Sequence, residues 1–351
     1  MEKSERDLSL DVLRILACLM VVGIHLAMYG WYDHSPLSRT WTILNFYDTV
    51  FRPAVPLFVM ISGSLFLRKE RIGLKRLWLG SILHLVIIYI IWVVFYAVMN
   101  RGIHKSLADP AAVWAEITGP TPQYHLWYLR MLLNLYAIAP LLWFLVRALD
   151  GKTFRYYFYL FFFFGILRHT VSDLPFLPKW ILEQINLFID MDLVGYAGYF
   201  ILGYRLCMSA RINSLSLRKI LTVYIAAVLL AAGLNQWISA AGNWPSQALY
   251  GNFSLPVMIE AVCIFIMIRK MAAAREFSVS ARKMIRLVSE STLFVYLIHP
   301  FVIQRLQMYF HLYTTDFNVL FSVPLAVCLV FILSSAVGMA LKRIPGLNRI
   351  L

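Results

Sequence analysis

Four polar or reactive side chains interrupt the first apolar stretch, Leu10-Asp-Val-Leu-Arg14-Ile-Leu-Ala-Cys-Leu-Met-Val-Val-Gly-Ile-His25. They are Asp11, Arg14, Cys18 and His25. A helix turns about 100° and rises about 1.5 Å per residue, so His25 falls about 20° from the bearing of Arg14 and roughly 16 Å further along the axis. The four therefore share one stripe. Their chemistry is specific. An imidazole with its ordinary pKa of about 6.5 supplies a neutral base for a hydroxyl proton. A guanidinium grips phosphate or carboxylate. A thiol is either a nucleophile or a packing atom. Plainer readings stand beside these: an arginine snorkelling to the interface or paired with Asp11, a histidine bonded to a carbonyl, and an inert buried cysteine.

Further along, His125, Trp127 and Arg130 cluster at the start of another apolar run, with Asn134 one turn on. Trp127, Arg130 and Asn134 follow the spacing of one helix face. An aromatic with polar neighbours suits a sugar ring, and an aromatic there also suits a membrane-interface anchor. His299 precedes Pro300, and it either orients a site or satisfies its own helix at a proline kink. Glu260 sits in the middle of an apolar run, where a carboxylate needs a partner or a proton. His84 has no such company and reads as packing.

These side chains need a scaffold, and the composition says which kind. Of 351 residues, 61% are hydrophobic and 14% charged, whereas soluble domains carry about a quarter charged. Ten stretches approach the roughly 20 apolar residues that cross a bilayer: 10–29, 50–67, 78–99, 124–146, 155–167, 193–209, 218–240, 253–268, 288–310 and 319–341. The connections near 30–49, 100–123 and 168–192 are the least apolar parts. The expected fold is all-α, a polytopic transmembrane bundle of about ten helices in a single domain, 1–351.

Orientation follows from the basic residues, which mark cytoplasmic loops. With the N-terminus inside, the inner side collects 23 of the 32 lysines and arginines, from Lys3 to Arg349, while Arg39, Arg101, Lys105, Arg168 and Lys179 fall outside. Both termini are then cytoplasmic. The net charge of +14 is a topology signal, and no nucleic-acid partner is implied. Cys18, Cys207, Cys263 and Cys328 lie far apart within apolar segments, a pattern of buried thiols with no metal site or disulfide framework. The first run has no cleavage signature, and no internal repeat of the transporter kind is visible.

Leu10-Asp-Val-Leu-Arg14 through His25 resembles the first-helix motif of the acyltransferase 3 family of membrane-bound acyltransferases. Val55-Pro-Leu-Phe-Val-Met-Ile-Ser-Gly63, Tyr124-His-Leu-Trp-Tyr-Leu129 and Ser289-Glu-Ser-Thr-Leu-Phe-Val-Tyr-Leu-Ile-His299 resemble, in order, its second, central and penultimate helices. Where that family carries paired arginines, this chain has Arg71-Ile-Gly-Leu-Lys75-Arg76. The resemblance is to the branch that O-acetylates bacterial surface polysaccharides or their lipid-linked precursors. It implies transfer of an acyl group, acetyl by default, from acyl-CoA to a carbohydrate hydroxyl in a bacterial inner membrane, with no tightly bound cofactor. It also implies His25 as base with Arg14 beside it, Arg71, Lys75 and Arg76 on the donor, and His125, Trp127, Arg130 and His299 on the acceptor or orienting the site. The alternative is a transporter or exporter of a glycan or small anion, because buried His, Glu and Arg also build proton relays and Pro53 and Pro56 interrupt the second span.

Overall fold

The computed structural model describes residues 6–119, 123–175, 178 and 192–343. Lys3, Lys179 and Arg349, which enter the charge asymmetry, lie outside them. The helices run in order as α1 Leu8–Ala27, α2 Arg39–Phe51, α3 Ala54–Leu67, α4 Leu74–Arg101, α5 Ile103–Ala108, α6 Pro110–Thr118 and α7 Tyr124–Ala148. After α8 (151–172) come α9 Asp192–Met208, α10 Arg211–Ser214, α11 Leu217–Ala241, α12 Leu255–Ala273, α13 Val279–Phe310 and α14 Val319–Leu341. The described residues contain no strand.

Among them, seven helical stretches are long and apolar enough to cross a membrane: α1, α2 with α3 (Arg39–Leu67), α4, α7, α11, α13 and α14. The stretches expected near 155–167, 193–209 and 253–268 are also helical, as α8, α9 and α12, and are not among the seven. Leu229, Leu230, Phe321 and Leu325 are more than half exposed. A soluble protein would bury such side chains, and a bilayer solvates them.

The chain separates into two compact units, residues 1–65 with 149–338 and residues 66–148 with 339–351. In the first, α13 lies along α1. Capping starts both helices: Asp7 accepts from the Ser9 N–H of α1, and Ser278 from the Ala281 N–H of α13, satisfying donors that every helix start leaves over. The motif glycine Gly63 is a packing requirement. A Cβ there would fall 1.8 Å from the Phe200 carbonyl oxygen, and one at Gly203 would fall 2.1 Å from that of Met60. So α3 and α9 meet backbone to backbone.

The connection expected over 30–49 is partly helix. Residues 39–51 form α2, whose Trp41, Leu44, Asn45, Asp48 and Thr49 are buried. Counting apolar residues missed it because its inward face is polar and satisfied within the fold. Asn45 Nδ2 donates to the Ala232 carbonyl at 2.9 Å, and Thr49 Oγ1 to the Asn45 carbonyl at 2.8 Å. Arg52 pairs with Asp48 at 2.6 Å. The α2–α3 break falls at Arg52–Pro53, where proline supplies no N–H to continue the ladder.

Candidate active site

The stripe on α1 holds together from its N-terminal end onward. Asp11 is buried and has strong partners already. Arg6 donates through Nε and Nη2 at 2.8 Å each, and Ser289 Oγ donates at 2.7 Å. Arg6 also reaches Glu290 at 2.5 Å. Arg14 Nη1 lies 3.8 Å from Asp11 and 3.4 Å from Ser289 Oγ. The carboxylate is thus satisfied by Arg6 and Ser289, and Arg14 keeps most of its donors. One turn on, the buried Cys18 thiol donates to the Thr292 carbonyl at 3.4 Å. That contact fits a packing thiol.

At the C-terminal end of the stripe the half-buried ring of His25 stacks on His299, centroids 5.1 Å apart and planes 24° apart. His299 is fully buried. Its Nδ1 lies 2.8 Å from the Tyr296 carbonyl and 3.1 Å from that of Val295. Carbonyls only accept, so Nδ1 carries the proton and Nε2 holds the lone pair in the neutral ring. Pro300 explains why that carbonyl is available. In an unbroken helix the N–H at position 300 would bond to Tyr296, and proline has none. His299 fills the gap left by the residue after it. The contact with its own helix is the plainer of the two expected readings of His299, and it leaves the ring stacked on His25.

Arg52, passed over in the sequence, also lies at this end. Its Nη2 approaches Met28 Sδ at 3.4 Å, three residues beyond His25, and its guanidinium sits 4.9 Å from the Tyr250 ring centroid. The Asp48–Arg52 spacing beside Pro53 was the available signal, a charge pair one helical turn apart. Glu260 is fully buried in α12, and neither carboxylate oxygen has a hydrogen-bond partner among the described residues. The paired role expected for it is not found there.

The remaining candidates belong to the second unit. Arg71 and Arg76 line a cavity of about 440 Å³ together with Phe66, Lys69, Gly73 and Ser81. Lys75 is exposed and not part of that lining, while Lys69, named in the sequence only as an inner-side charge, is. The loop carrying Lys69 is tied to the end of α7: Trp143 Nε1 donates to the Lys69 carbonyl at 2.7 Å and Arg147 Nη2 at 2.9 Å. The Lys69 ammonium lies 4.5 Å from the Phe66 ring centroid. Burial, and then the nearby Arg76 charge, hold its pKa below the ordinary lysine value.

His125 is buried, edge-on to Tyr96 with centroids 5.2 Å apart. Trp127 is half-buried, and Arg130 and Asn134 are exposed on the same face of α7. His84, read as packing, is exposed on α4. No group of three or more metal-ligating side chains exists among the described residues.

With this geometry in view, comparison with known proteins adds one finding. The family model described as "Acyltransferase domain", acyltransferase 3, matches residues 7–343. Neither the curated proteins nor the solved structures contain a match. The match runs through α1, α13 and the basic loop before α4 alike, so the chain belongs to the acyltransferase 3 family and is a membrane acyltransferase.

Proposed function

We propose that the protein transfers an acyl group, acetyl by default, from acyl-CoA to a hydroxyl of a surface polysaccharide or its lipid-linked precursor at a bacterial inner membrane. The observation that carries this reading is the His25–His299 stack at the outer end of a stripe whose inner end offers the largely uncommitted Arg14. His25 removes the acceptor hydroxyl proton as its oxygen attacks the thioester carbonyl. The tetrahedral oxyanion then collapses, the carbon–sulfur bond breaks, and the imidazolium returns its proton to the departing thiolate. His299 does not touch the reacting atoms. Its ring, held by Tyr296 and Val295, fixes the plane of His25.

On this reading the anionic donor enters from the cytoplasm. Arg71 and Arg76, with Lys69, hold its phosphates in the second unit's cavity; Arg14 on α1 is a separate cation suited to an anion. Trp127, Arg130 and His125 belong to the acceptor side. The test is glycan mass analysis of cells with and without the gene, and of cells carrying His25→Ala. The mass of one acyl group should be missing in both the deletion and the variant. An unchanged glycan in the deletion would remove the carbohydrate acceptor, and failure of the purified protein to bind coenzyme A would remove the donor.

A further inference from the structure

The cavity described above lies in the second unit, and a larger one lies in the first unit, lined by none of the residues named for the transfer. Between the start of α8 and the end of α9, with α10 beside them, an opening of about 860 Å³ is lined by Arg155, Arg205 and Arg211 together with Phe154, Phe158 and Leu202. The loops concerned, 147–155 and 205–219, are among those that the basic-residue asymmetry places on the cytoplasmic side.

Two observations separate this cavity from ordinary inner-side charge. First, its cations form no ion pair among the described residues, and the lining contains no carboxylate. The nearest acid in sequence, Asp150, is committed elsewhere. It caps α8 by accepting from the Thr153 N–H at 2.8 Å, and that hydrogen-bonding, with a smaller contribution from Arg155, holds its carboxyl below the usual carboxylate range. Second, the charges converge on a shaped wall. Arg205 is half-buried and lies 3.8 Å from the Phe154 ring centroid, a contact that fixes its guanidinium. Arg155 and Arg211 are exposed at the mouth. Phe158 and Leu202 each lie about one helical turn further along α8 or α9, so the cavity is cationic at its rim and apolar within.

Such a site selects a ligand with several anionic oxygens attached to something apolar. Guanidinium forks match phosphate oxygens in pairs, and basic pockets between helices on the cytoplasmic side suit lipid head groups. We propose that this cavity binds the phosphate ester of an amphiphile. Its two sources are an anionic phospholipid of the inner leaflet and the phosphates of acyl-CoA. The phospholipid source is independent of the acyl-transfer reading, and the coenzyme A source would extend it to residues other than Lys69, Arg71 and Arg76.

The test titrates the full-length purified protein with dioctanoyl phosphatidylglycerol, with dioctanoyl phosphatidylcholine as the zwitterionic control, and with coenzyme A, reading occupancy by native mass spectrometry. The variant R155Q/R211Q removes two exposed cations and spares the Arg205–Phe154 contact. Its affinity for one of the two anionic probes should fall about tenfold or more, as expected for losing two charge-assisted contacts, while phosphatidylcholine is unaffected. Loss of phosphatidylglycerol alone identifies a lipid headgroup, and loss of coenzyme A alone identifies the nucleotide phosphates. R155K/R211K, which keeps charge without the fork, should fall between the two. Thermal unfolding in the same detergent reports folding, and the single variant R211Q repeats the comparison if the double variant unfolds. Unchanged affinity for both anionic probes in a folded variant overturns the proposal. A failure of coenzyme A to bind even the wild type would instead strike the acyl-transfer reading and leave the phospholipid arm standing.

Discussion

His299→Phe tests the idea that one histidine positions the other. Phenylalanine keeps a ring to stack on His25 but removes the Nδ1 donor now 2.8 Å from the Tyr296 carbonyl. Pro300 cannot supply a replacement, so the carbonyl loses this donor, at a cost of about 1–3 kcal/mol. A thermal unfolding scan should show that loss. The kinetic effect should be larger than stability explains. A base displaced by about 1 Å loses on the order of 10²-fold in rate, and complete removal of a general base loses about 10²–10⁴-fold. His299→Phe should therefore lower kcat on the order of 10²-fold and leave coenzyme A binding unchanged, because neither ring takes part in donor capture. The decisive measurement is the double variant. If His299 acts only through His25, His25→Ala/His299→Phe should be no slower than His25→Ala alone. Full activity in His299→Phe, or losses that multiply in the double variant, would refute the positioning role.

Cys18→Ala should keep most activity, since its thiol donates to the Thr292 carbonyl; a dead Cys18→Ala beside an active His25→Ala would replace the base mechanism with an acyl-cysteine. Arg14→Ala should weaken coenzyme A binding about tenfold at nearly unchanged thermal stability, because Asp11 is held by Arg6 and Ser289; a collapsed fold with normal affinity in the surviving fraction would make Arg14 structural. Lys75→Ala should leave donor affinity unchanged and Lys69→Ala should reduce it, the reverse of what spacing from Arg71 suggests, with isothermal titration as the readout. The Lys69 ammonium has a lowered pKa and loses its charge as pH rises, earlier than an ordinary lysine. Donor affinity should accordingly decline on the alkaline side in the wild type, and Lys69→Arg should move that decline to higher pH.

How far each element was legible depended on where its partners lay in the chain. The α1 stripe needed only helical geometry, and His25 and Arg14 could be read from eleven residues of spacing. The His299–Pro300 pair was legible as a dipeptide, though the stack on His25 joins residues 274 positions apart. No local pattern reveals that. Asp11 shows the same limit. Its neighbour in sequence, Arg14, was the natural partner, while Ser289, 278 positions away, holds it at shorter distance. In α2 the failure was one of method. Hydropathy reads Asn45, Asp48 and Thr49 as solvent-facing, but each has a partner inside the fold: a carbonyl for Asn45 and Thr49, and Arg52 for Asp48. Lys75 and Lys69 differ for a third reason: position in a basic run says nothing of which side chains line the cavity beside it.

At the N-terminal end of α1 an acidic residue sits beside a cation that keeps most of its donors. Without Asp11, Arg6 would lose its two 2.8 Å contacts and the Ser289 hydroxyl its acceptor. With Asp11 in place, the carboxylate accepts from Arg6 and from the Ser289 hydroxyl, and Arg14 has only a 3.8 Å approach to Asp11 and a 3.4 Å contact to Ser289 Oγ, too long to hold its charge tightly. The carboxylate therefore anchors α1 to α13 and still leaves the arginine able to take a stronger anion. Asp11→Asn separates these two duties. An amide can accept from Arg6 through one oxygen but repels nothing and neutralises nothing, so the α1–α13 anchor should weaken and the unfolding midpoint fall. Donor affinity should be retained or rise, because the nearest negative charge to Arg14 has gone. A loss of donor affinity at unchanged stability would mean that Asp11 itself contacts the donor, and the assignment of Arg14 as the gripping residue would fail.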